Sequence, residues 1–371
     1  MTADRQPLAG RGMAWLTGGG NEAEIVLSTR VRLARNLQGF PFPIRADAED
    51  SARILERTKA AIAAIESLRD ASVWDVADLD VREREILLER HLISRELVER
   101  ATLRPAHAAL VLAGNDELGL MVNEEDHLRL QSFSAGFALA ETWRRLDRLD
   151  EELGALLPFA FHHELGFLTS CPTNVGTGLR ASVLIHLPGL VLTKEINKVL
   201  EGISQVGLTY RGFHGEGSEV VGNLFQLSNQ TTLGKTEEDL VEHLERVTGK
   251  VIEYERSARS VLLREAPTVL EDKVWRAYGI LRSARSLSTG EMLNLLSGLR
   301  LGVSLKLLPT PRVDTLNEIL VLAQTAHRSR EAGSTLDEPD ADVARAAYVR
   351  ERLAEDEQTS DGNDPPTRDM N

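Results

Sequence analysis

The segment ALVLAGNDELGLMV, residues 109–122, decides the fold class that this sequence predicts. Two apolar runs flank the short polar sequence 114–117, which is typical of two strands joined by a tight turn. Further strand-like runs occur at 24–33, 128–133, 182–187 and 205–210, and helical patterns at 47–68 and 137–153 lie between them. Strands gathered into hairpins, with helices between them, predict an α+β fold in which an antiparallel sheet is flanked by helices.

The pattern changes near residue 236, where strand signals give way to helical ones. The sequences TEED (236–239) and STGE (288–291) both fit a capping box at the start of a helix. Apolar residues at helical spacing follow the second box and predict one buried helix face. A last helix is predicted over 342–354, before a polar end that contains two prolines. We therefore divide the chain into a flexible leader (1–23), an α+β domain (24–255), a smaller helical domain (256–355) and a disordered tail (356–371).

Composition excludes several classes of function. The 371 residues suffice for two domains, and 42% of them are hydrophobic, so a sizeable core can form. Acidic residues (57) outnumber lysine and arginine (43), which argues against a nucleic-acid-binding surface and restricts any phosphate site to a local arginine cluster. A single cysteine excludes an intrachain disulfide and fits a reducing cytosol. Neither a signal peptide nor an apolar run of membrane-spanning length is present, so we expect a cytoplasmic protein without a membrane partner.

The lone cysteine lies in CPTNVGT, residues 171–177, a loop-like mixture of hydroxyls, proline and glycine. Such a mixture contributes little to a core, although a buried free thiol beside a turn is the simple alternative. Five arginines lie in strand, loop or turn contexts: Arg30, Arg32, Arg129, Arg180 and Arg211. Arg30 and Arg32 are two apart on a strand, so their side chains leave the same face.

The guanidinium fork of arginine matches phosphate oxygens, and no Walker-type sequence is present. A nucleotide site in this chain would therefore be built from arginines. The alternative is that each arginine is a surface or salt-bridged residue.

Carboxylates complement these arginines. Glu124, Glu125 and Asp126 follow a strand directly, and Glu216 lies in a glycine-rich loop, 211–217. Two carboxylates can orient one guanidinium, and one of them can accept its proton. A solvated turn is the alternative for 124–126. His127 could ligate a metal, but the sequence offers no second ligand at a fixed spacing.

Together these segments resemble the phosphagen (guanidino) kinase family. The motifs STRVR (28–32), NEEDHLR (123–129), CPTNVGT (171–177) with RASV (180–183), and RGFHGE (211–216) follow the family order. The resemblance is closest to the bacterial protein-arginine kinases, because no helical domain precedes the first motif and a helical region follows the last. It implies transfer of the ATP γ-phosphoryl group to a guanidinium nitrogen, with Mg²⁺.

The resemblance also implies roles for residues. Glu125 and Glu216 would clamp the guanidinium, with Glu125 as the base, and Cys171 would lie beside it as a thiolate. No residue is assigned to the metal. The nucleotide-binding positions would be Ser28, Thr29, Arg30, Val31, Arg32, His91, Arg129, Arg180, Ala181, Ser182, Val183, Leu184, Arg211, Gly212, Phe213, His214, Gly215 and Glu216.

The implied partners are proteins with exposed arginines, which the kinase would mark for a Clp-type protease, an activator protein, and a second copy bound through the helical domain. One motif of the subgroup, which binds phosphoarginine allosterically, is incomplete here. Its first arginine is replaced by Ala341 in the sequence ADVARA, residues 341–346. We therefore expect little allosteric response to phosphoarginine.

Two other functions compete with this prediction. One is a kinase of free arginine or another small guanidine. The resemblance disfavours it, because the helical domain that helps to enclose small substrates in such relatives does not precede residue 28. The other is a non-catalytic adaptor or regulator of a protease or repressor, which the complete set of motif residues disfavours.

Overall fold

The computed structural model describes residues 13–103, 107–213 and 220–361. Its strands are β1 (Val26–Arg35), β2 (Ser72–Asp75), β3 (Ala109–Ala113), β4 (Leu118–Val122), β5 (Leu128–Ala135), β6 (Phe161–His162), β7 (Gly166–Phe167), β8 (Leu179–His186), β9 (Leu208–Gly212) and β10 (Leu224–Asn229). Its helices are α1 (Ala48–Ile62), α2 (Val81–Glu89), α3 (Arg95–Leu103), α4 (Leu139–Gly154), α5 (Pro188–Leu192), α6 (Ile196–Gln205), α7 (Glu237–Glu265), α8 (Pro267–Ser283), α9 (Thr289–Ser304), α10 (Val313–Leu322), α11 (Thr325–Glu331) and α12 (Glu338–Asp361).

Eight strands form one sheet in the order β2-β3-β4-β5-β1-β8-β10-β9, and every neighbouring pair is antiparallel. The predicted hairpin is present as β3 and β4, with Ala113 opposite Leu118. Strands β6 and β7 form a separate short hairpin that leads into the cysteine loop. The predicted antiparallel α+β fold is confirmed.

The two faces of the sheet have different surroundings because side chains alternate along each strand. One face is apolar: Val31 and Leu33 of β1 and Ala181 and Val183 of β8 are buried in one core cluster. Helices α1, α4 and α7 contribute apolar residues to the same cluster and so cover this face. The polar positions of β1 and β8 lie at the centre of the other face, where they line a cleft.

The helical region packs around a second apolar cluster that includes Met292, Leu296 and Leu299 of α9. Helix α7 starts with the predicted capping box, in which Thr236 accepts from the amide of Asp239 and Asp239 accepts from that of Thr236. At α9 the serine half is present, since Ser288 Oγ accepts from the Glu291 amide at 3.2 Å. Helix α7 runs continuously through the boundary we drew at 255/256.

Both ends of the described chain are more ordered than the sequence suggested. Trp15 is 1% exposed and packs in a third apolar cluster with residues of β3 and β5, so the expected leader does not extend to residue 23. Helix α12 continues to Asp361, because Asp356 is anchored by the amide of Arg312 at 2.6 Å and by Thr315 Oγ1 at 2.8 Å. Within the described ranges, none of the helices combines the length and apolar character that a membrane crossing needs.

Candidate active site

A cleft of about 790 Å³ opens on the polar face of the sheet, between β1, β8, β10 and the α2–α3 segment. Most of the sequence-predicted site residues line this cleft. They are Ser28, Arg30, Arg32, His91, Glu125, Arg129, Cys171, Arg180, Ser182, Leu184, Arg211 and Phe213. The structure therefore brings together four motifs that are far apart in the sequence.

The remaining predicted positions fall into three groups. Thr29, Val31, Ala181 and Val183 alternate with the cleft residues on β1 and β8, so their side chains lie on the opposite, buried face. Thr29 Oγ1 there donates to the carbonyl of Gly136 at 2.7 Å. Gly212 pairs with Phe225 in the sheet. His214, Gly215 and Glu216 lie outside the described residues.

Four guanidinium groups form the arginine cluster of the cleft: Arg30, Arg32, Arg129 and Arg180. The register of β1 and β8 places Arg32 directly opposite Arg180, an arrangement in which like charges destabilise a sheet. Burial, together with the charges of the other three arginines, holds the pKa of Arg32 well below its usual range. Burial and Arg129 lower the pKa of Arg30 to about 9. The charged forms of Arg30 and Arg32 are therefore disfavoured in the cleft, whereas Glu124 stabilises the charge of Arg129.

Some side-chain nitrogens of Arg30 and Arg32 have no hydrogen-bond partner among the described residues. Arg30 Nη2 donates to Gln131 Oε1 at 2.6 Å, and the Arg30 guanidinium lies 4.9 Å from the centre of the Phe133 ring. The Nε atoms of Arg30 and Arg32 are buried and have no partner among the described residues. Buried donors without partners are rare in proteins, so these atoms indicate a place for ligand oxygens.

The three neighbouring acidic residues have different environments. Glu124 is fully buried, and both of its carboxylate oxygens accept from Arg129 Nη1, at 2.8 and 2.9 Å. Burial alone would raise the pKa of Glu124, but Arg129 and further hydrogen bonds lower it. Glu124 is therefore the fixed counterion of Arg129, a role that the sequence did not reveal.

Glu125 is the exposed member of the set, with 37% of its side chain accessible in the cleft. Its carboxylate lies 3.8 Å from Arg129 Nη1. Burial raises the pKa of Glu125, and the nearby Glu124 and Asp126 add to the rise against the opposing charge of Arg129. A carboxylate with a raised pKa that faces a cleft is suited to accept a proton.

Asp126 connects the acidic loop to the cysteine loop. Its Oδ1 accepts from Asn36 Nδ2 and from the amide of Ser170, both at 2.6 Å, and the side chain is fully buried. Asn36 also donates to the carbonyl of Leu168 at 3.0 Å. Asp126 and Asn36 thus fix Glu125 relative to Cys171. Sequence reasoning missed both roles, although the adjacency of Asp126 to Glu125 was a usable signal.

Cys171 is partly exposed in the cleft, so the alternative of a buried structural thiol is not realised. Its Sγ lies 3.0 Å from Thr173 Oγ1. Thr232 Oγ1 lies 2.9 Å from the carbonyl of Thr173 and 2.7 Å from that of Val175 and holds the loop from the opposite side. Gly176 is required there, because it has φ +113° and a Cβ would lie 2.2 Å from the Thr232 carbonyl oxygen.

Two histidines have distinct surroundings. His91 follows α2 with φ +59°, and its ring centre lies 5.0 Å from Phe213 and 6.0 Å from Trp15 in the cleft wall. His127 is fully buried, with Nδ1 accepting from the Leu37 amide and Nε2 donating to the Pro41 carbonyl, both at 2.9 Å. Both ring nitrogens of His127 are occupied by the backbone, so it does not fit a metal ligand.

Comparison with known proteins agrees with this geometry. The family model for the C-terminal catalytic domain of ATP:guanido phosphotransferases matches residues 53–258, and the model for the protein-arginine kinase McsB C-terminal domain matches residues 267–364. These matched ranges include much of the cleft and the helical region, respectively.

Relatives of known name match along most of the chain. A protein-arginine kinase of Symbiobacterium thermophilum is 45% identical over 92% of this chain and 96% of its own length. One from Moorella thermoacetica is 44% identical over 93% of this chain and 98% of its own. A lombricine kinase structure shares the fold at 22% identity with a TM-score of 0.59, over 68% of this chain and 71% of that one. The chain therefore belongs to the ATP:guanido phosphotransferase family and, within it, to the protein-arginine kinases.

Proposed function

We propose that this protein transfers the γ-phosphoryl group of ATP to a guanidinium nitrogen of arginine side chains in proteins. The observation that carries the proposal is the arginine cluster, with Arg32 opposite Arg180, in one cleft with Glu125 and Cys171. The cluster needs an anion, and Glu125 can bind a cation. A site with both requirements fits a reaction between a polyphosphate and a guanidinium.

The arginine cluster would bind the phosphates of ATP, together with Arg211, which lines the same cleft. The buried Nε atoms of Arg30 and Arg32 would donate to phosphate oxygens. Catalysis of phosphoryl transfer depends on positioning and on stabilising charge, and arginines on the three neighbouring strands β5, β1 and β8 would supply both. Ser28, Ser182 and Phe213 line the cleft beside them, as does His91.

The acceptor arginine would enter beside Glu125 and Cys171. Its guanidinium nitrogen forms a bond to the γ-phosphorus while the bond between that phosphorus and the oxygen of ADP breaks. The proton that the nitrogen loses passes to the carboxylate of Glu125, whose raised pKa favours acceptance. Cys171 would lie against the guanidinium, and Glu216 would be the second carboxylate of the clamp.

Magnesium would enter with the nucleotide. Among residues 13–103, 107–213 and 220–361, no group of three His, Cys, Asp or Glu side chains could hold a metal ion. Magnesium commonly keeps several waters and takes oxygens from substrate phosphates, so few protein ligands are needed. When bound, it would neutralise part of the charge that develops on the transferred phosphoryl group.

The test compares ATP consumption under three conditions: with an arginine-rich unfolded protein, with free arginine, and without an acceptor. We expect turnover with the protein and little with free arginine. Acid-labile phosphate on arginine, detected by mass spectrometry at neutral pH, identifies the product. Equal turnover with free arginine would favour the small-guanidine kinase, and no turnover with either acceptor would favour the adaptor.

We further propose, on the family resemblance, that the phosphorylated proteins are delivered to a Clp-type protease in the cytoplasm. An activator protein and a homodimer formed through α8–α12 belong to the same proposal. Mixing the purified protein with a Clp-type protease and a phosphorylated substrate tests the first part. Light scattering of the full chain, compared with the monomer mass of 40.9 kDa, tests the homodimer.

A further inference from the structure

The His91 segment is tied to the helical region by a buried cluster of side chains. Glu89, the last residue of α2, accepts hydrogen bonds from the backbone amides of Ala326 at 2.7 Å and His327 at 3.1 Å. The same carboxylate lies 2.6 Å from His327 Nδ1. Glu89 also lines the nucleotide cleft, and it stands two residues before His91.

The hydrogen-bond partners determine the tautomer of His327. Arg90 Nε can only donate, and it lies 3.2 Å from His327 Nε2, so Nε2 must accept. The ring proton is therefore on Nδ1 and is donated to Glu89. Arg90 and His327 are 2% and 8% exposed, respectively, so this chain of bonds runs through the protein interior.

The helical side of this contact is itself fixed. Arg345 of α12 donates to the carbonyl of Ala323 at 3.0 Å and to Thr325 Oγ1 at 3.1 Å, directly before His327. Gln324, from the same segment, lines the nucleotide cleft. On the sheet side, Gln131 Nε2 donates to the carbonyl of Leu92 at 2.8 Å. The His91 segment is thus held between the sheet and the helical region.

We propose that Glu89 and His327 are positioning residues, through which the helical region holds His91 against the bound nucleotide and sets the affinity for ATP. His91 has a left-handed backbone conformation, which a non-glycine residue keeps only when its surroundings enforce it. The Glu89–His327 contact and the Leu92–Gln131 bond supply that enforcement from opposite sides. The inference rests on the proposed nucleotide site.

The experiment uses full-length variants at His327. His327→Ala removes both side-chain bonds, and His327→Gln keeps an acceptor near Arg90 but removes the Nδ1 donor to Glu89. Because a hydrogen bond to a charged group is lost, KM for ATP should rise about tenfold in both variants, with kcat changed by less than about twofold. His327→Asn, whose amide can replace the Nδ1 donor, should recover most of the ATP affinity.

Glu331→Gln is the matched control, because it breaks an ion pair with Arg328 on the same helix without touching Glu89. Its KM for ATP should equal that of the unaltered protein. An unchanged KM in His327→Gln, even with a lowered melting temperature, would reduce the contact to a structural role and overturn the inference. Failure of the unaltered protein to bind ATP in calorimetry would instead refute the proposed function itself.

Discussion

Removing the carboxylate of Asp126 should separate the two loops that carry the proposed acceptor site. Its Oδ1 accepts two short bonds, from Asn36 Nδ2 and the Ser170 amide. In Asp126→Ala the Ser170 amide loses this acceptor, and Asn36 Nδ2 keeps only its bond to the Leu168 carbonyl. Each bond to a charged group contributes about 1.5–3 kcal/mol, so we expect a loss of about 3–5 kcal/mol in the free energy of unfolding.

Asp126→Asn separates the lost contact from the lost charge. The amide oxygen can still accept both bonds, while the amide nitrogen takes the place of Oδ2, which has no partner among the described residues. We expect a loss of about 1–2 kcal/mol, since one buried donor is then unsatisfied. The Asn variant also keeps the question testable if the Ala variant does not fold.

Urea unfolding followed by circular dichroism measures the stability of both variants, and steady-state phosphorylation of a protein substrate measures turnover. Displacement of Cys171 by about 1 Å should cost Asp126→Ala about a hundredfold in kcat, while KM for ATP changes little. Thr142→Val is the matched control, because Thr142 is a buried hydrogen-bonded residue of α4 outside the cleft. A destabilisation of Asp126→Ala below about 1 kcal/mol, or a normal kcat, would refute the reasoning.

Six further results are expected. Cys171→Ser should melt like the unaltered protein but lose about a hundredfold in turnover; near-normal turnover would return the thiol to a passive role. Burial raises the pKa of Glu125, so this carboxylate is protonated at a higher pH than an ordinary glutamate. As the pH is lowered, the loss of kcat/KM should therefore begin at a correspondingly higher pH. Glu125→Gln should still bind ATP. Because the ionised form of Glu125 is disfavoured in the folded state, this variant should also be more stable than the unaltered protein at neutral pH. Arg32→Ala should weaken ATP binding in calorimetry about 10–100-fold, yet raise the melting temperature of the empty protein. Free phosphoarginine should not activate the kinase in a dose-response series, because Ala341 and Arg345 are each 1% exposed and Arg345 is hydrogen-bonded to backbone carbonyls. Since Ala341 is buried, Ala341→Arg should lower the melting temperature.

The local pattern predicts the features that depend on neighbouring residues. The β3–β4 hairpin is recognisable because both strands and their turn lie within 109–122. The common face of Arg30 and Arg32 follows from the two-residue period of a strand. The start of α7 is set by a capping box four residues long.

Features that depend on distant contacts could not be predicted in this way. Nothing local in β1 or β8 indicates that Arg32 stands opposite Arg180, because their register is decided by the whole sheet. Glu124 and Glu125 have the same side chain, and only the folded position of Arg129 makes one a buried counterion and leaves the other an exposed carboxylate. The sequence around Trp15 predicts a leader, because the apolar residues that bury Trp15 lie far along the chain, on β3 and β5.

The charged forms of Arg30 and Arg32 are disfavoured in the cleft, so the proposed binding of ATP phosphates there should be coupled to the stability of the fold. Burial and mutual repulsion lower the pKa values of Arg30 and Arg32, while Glu124 directly neutralises Arg129. A bound polyphosphate relieves the repulsion, so the phosphates should stabilise the fold strongly, in proportion to their binding free energy. On the other side of the cleft, the ring of His91 contacts Phe213, and Glu89 of the same segment contacts His327 of the helical region. We therefore expect a change in the helical region to alter the affinity for ATP while the arginine cluster stays in place.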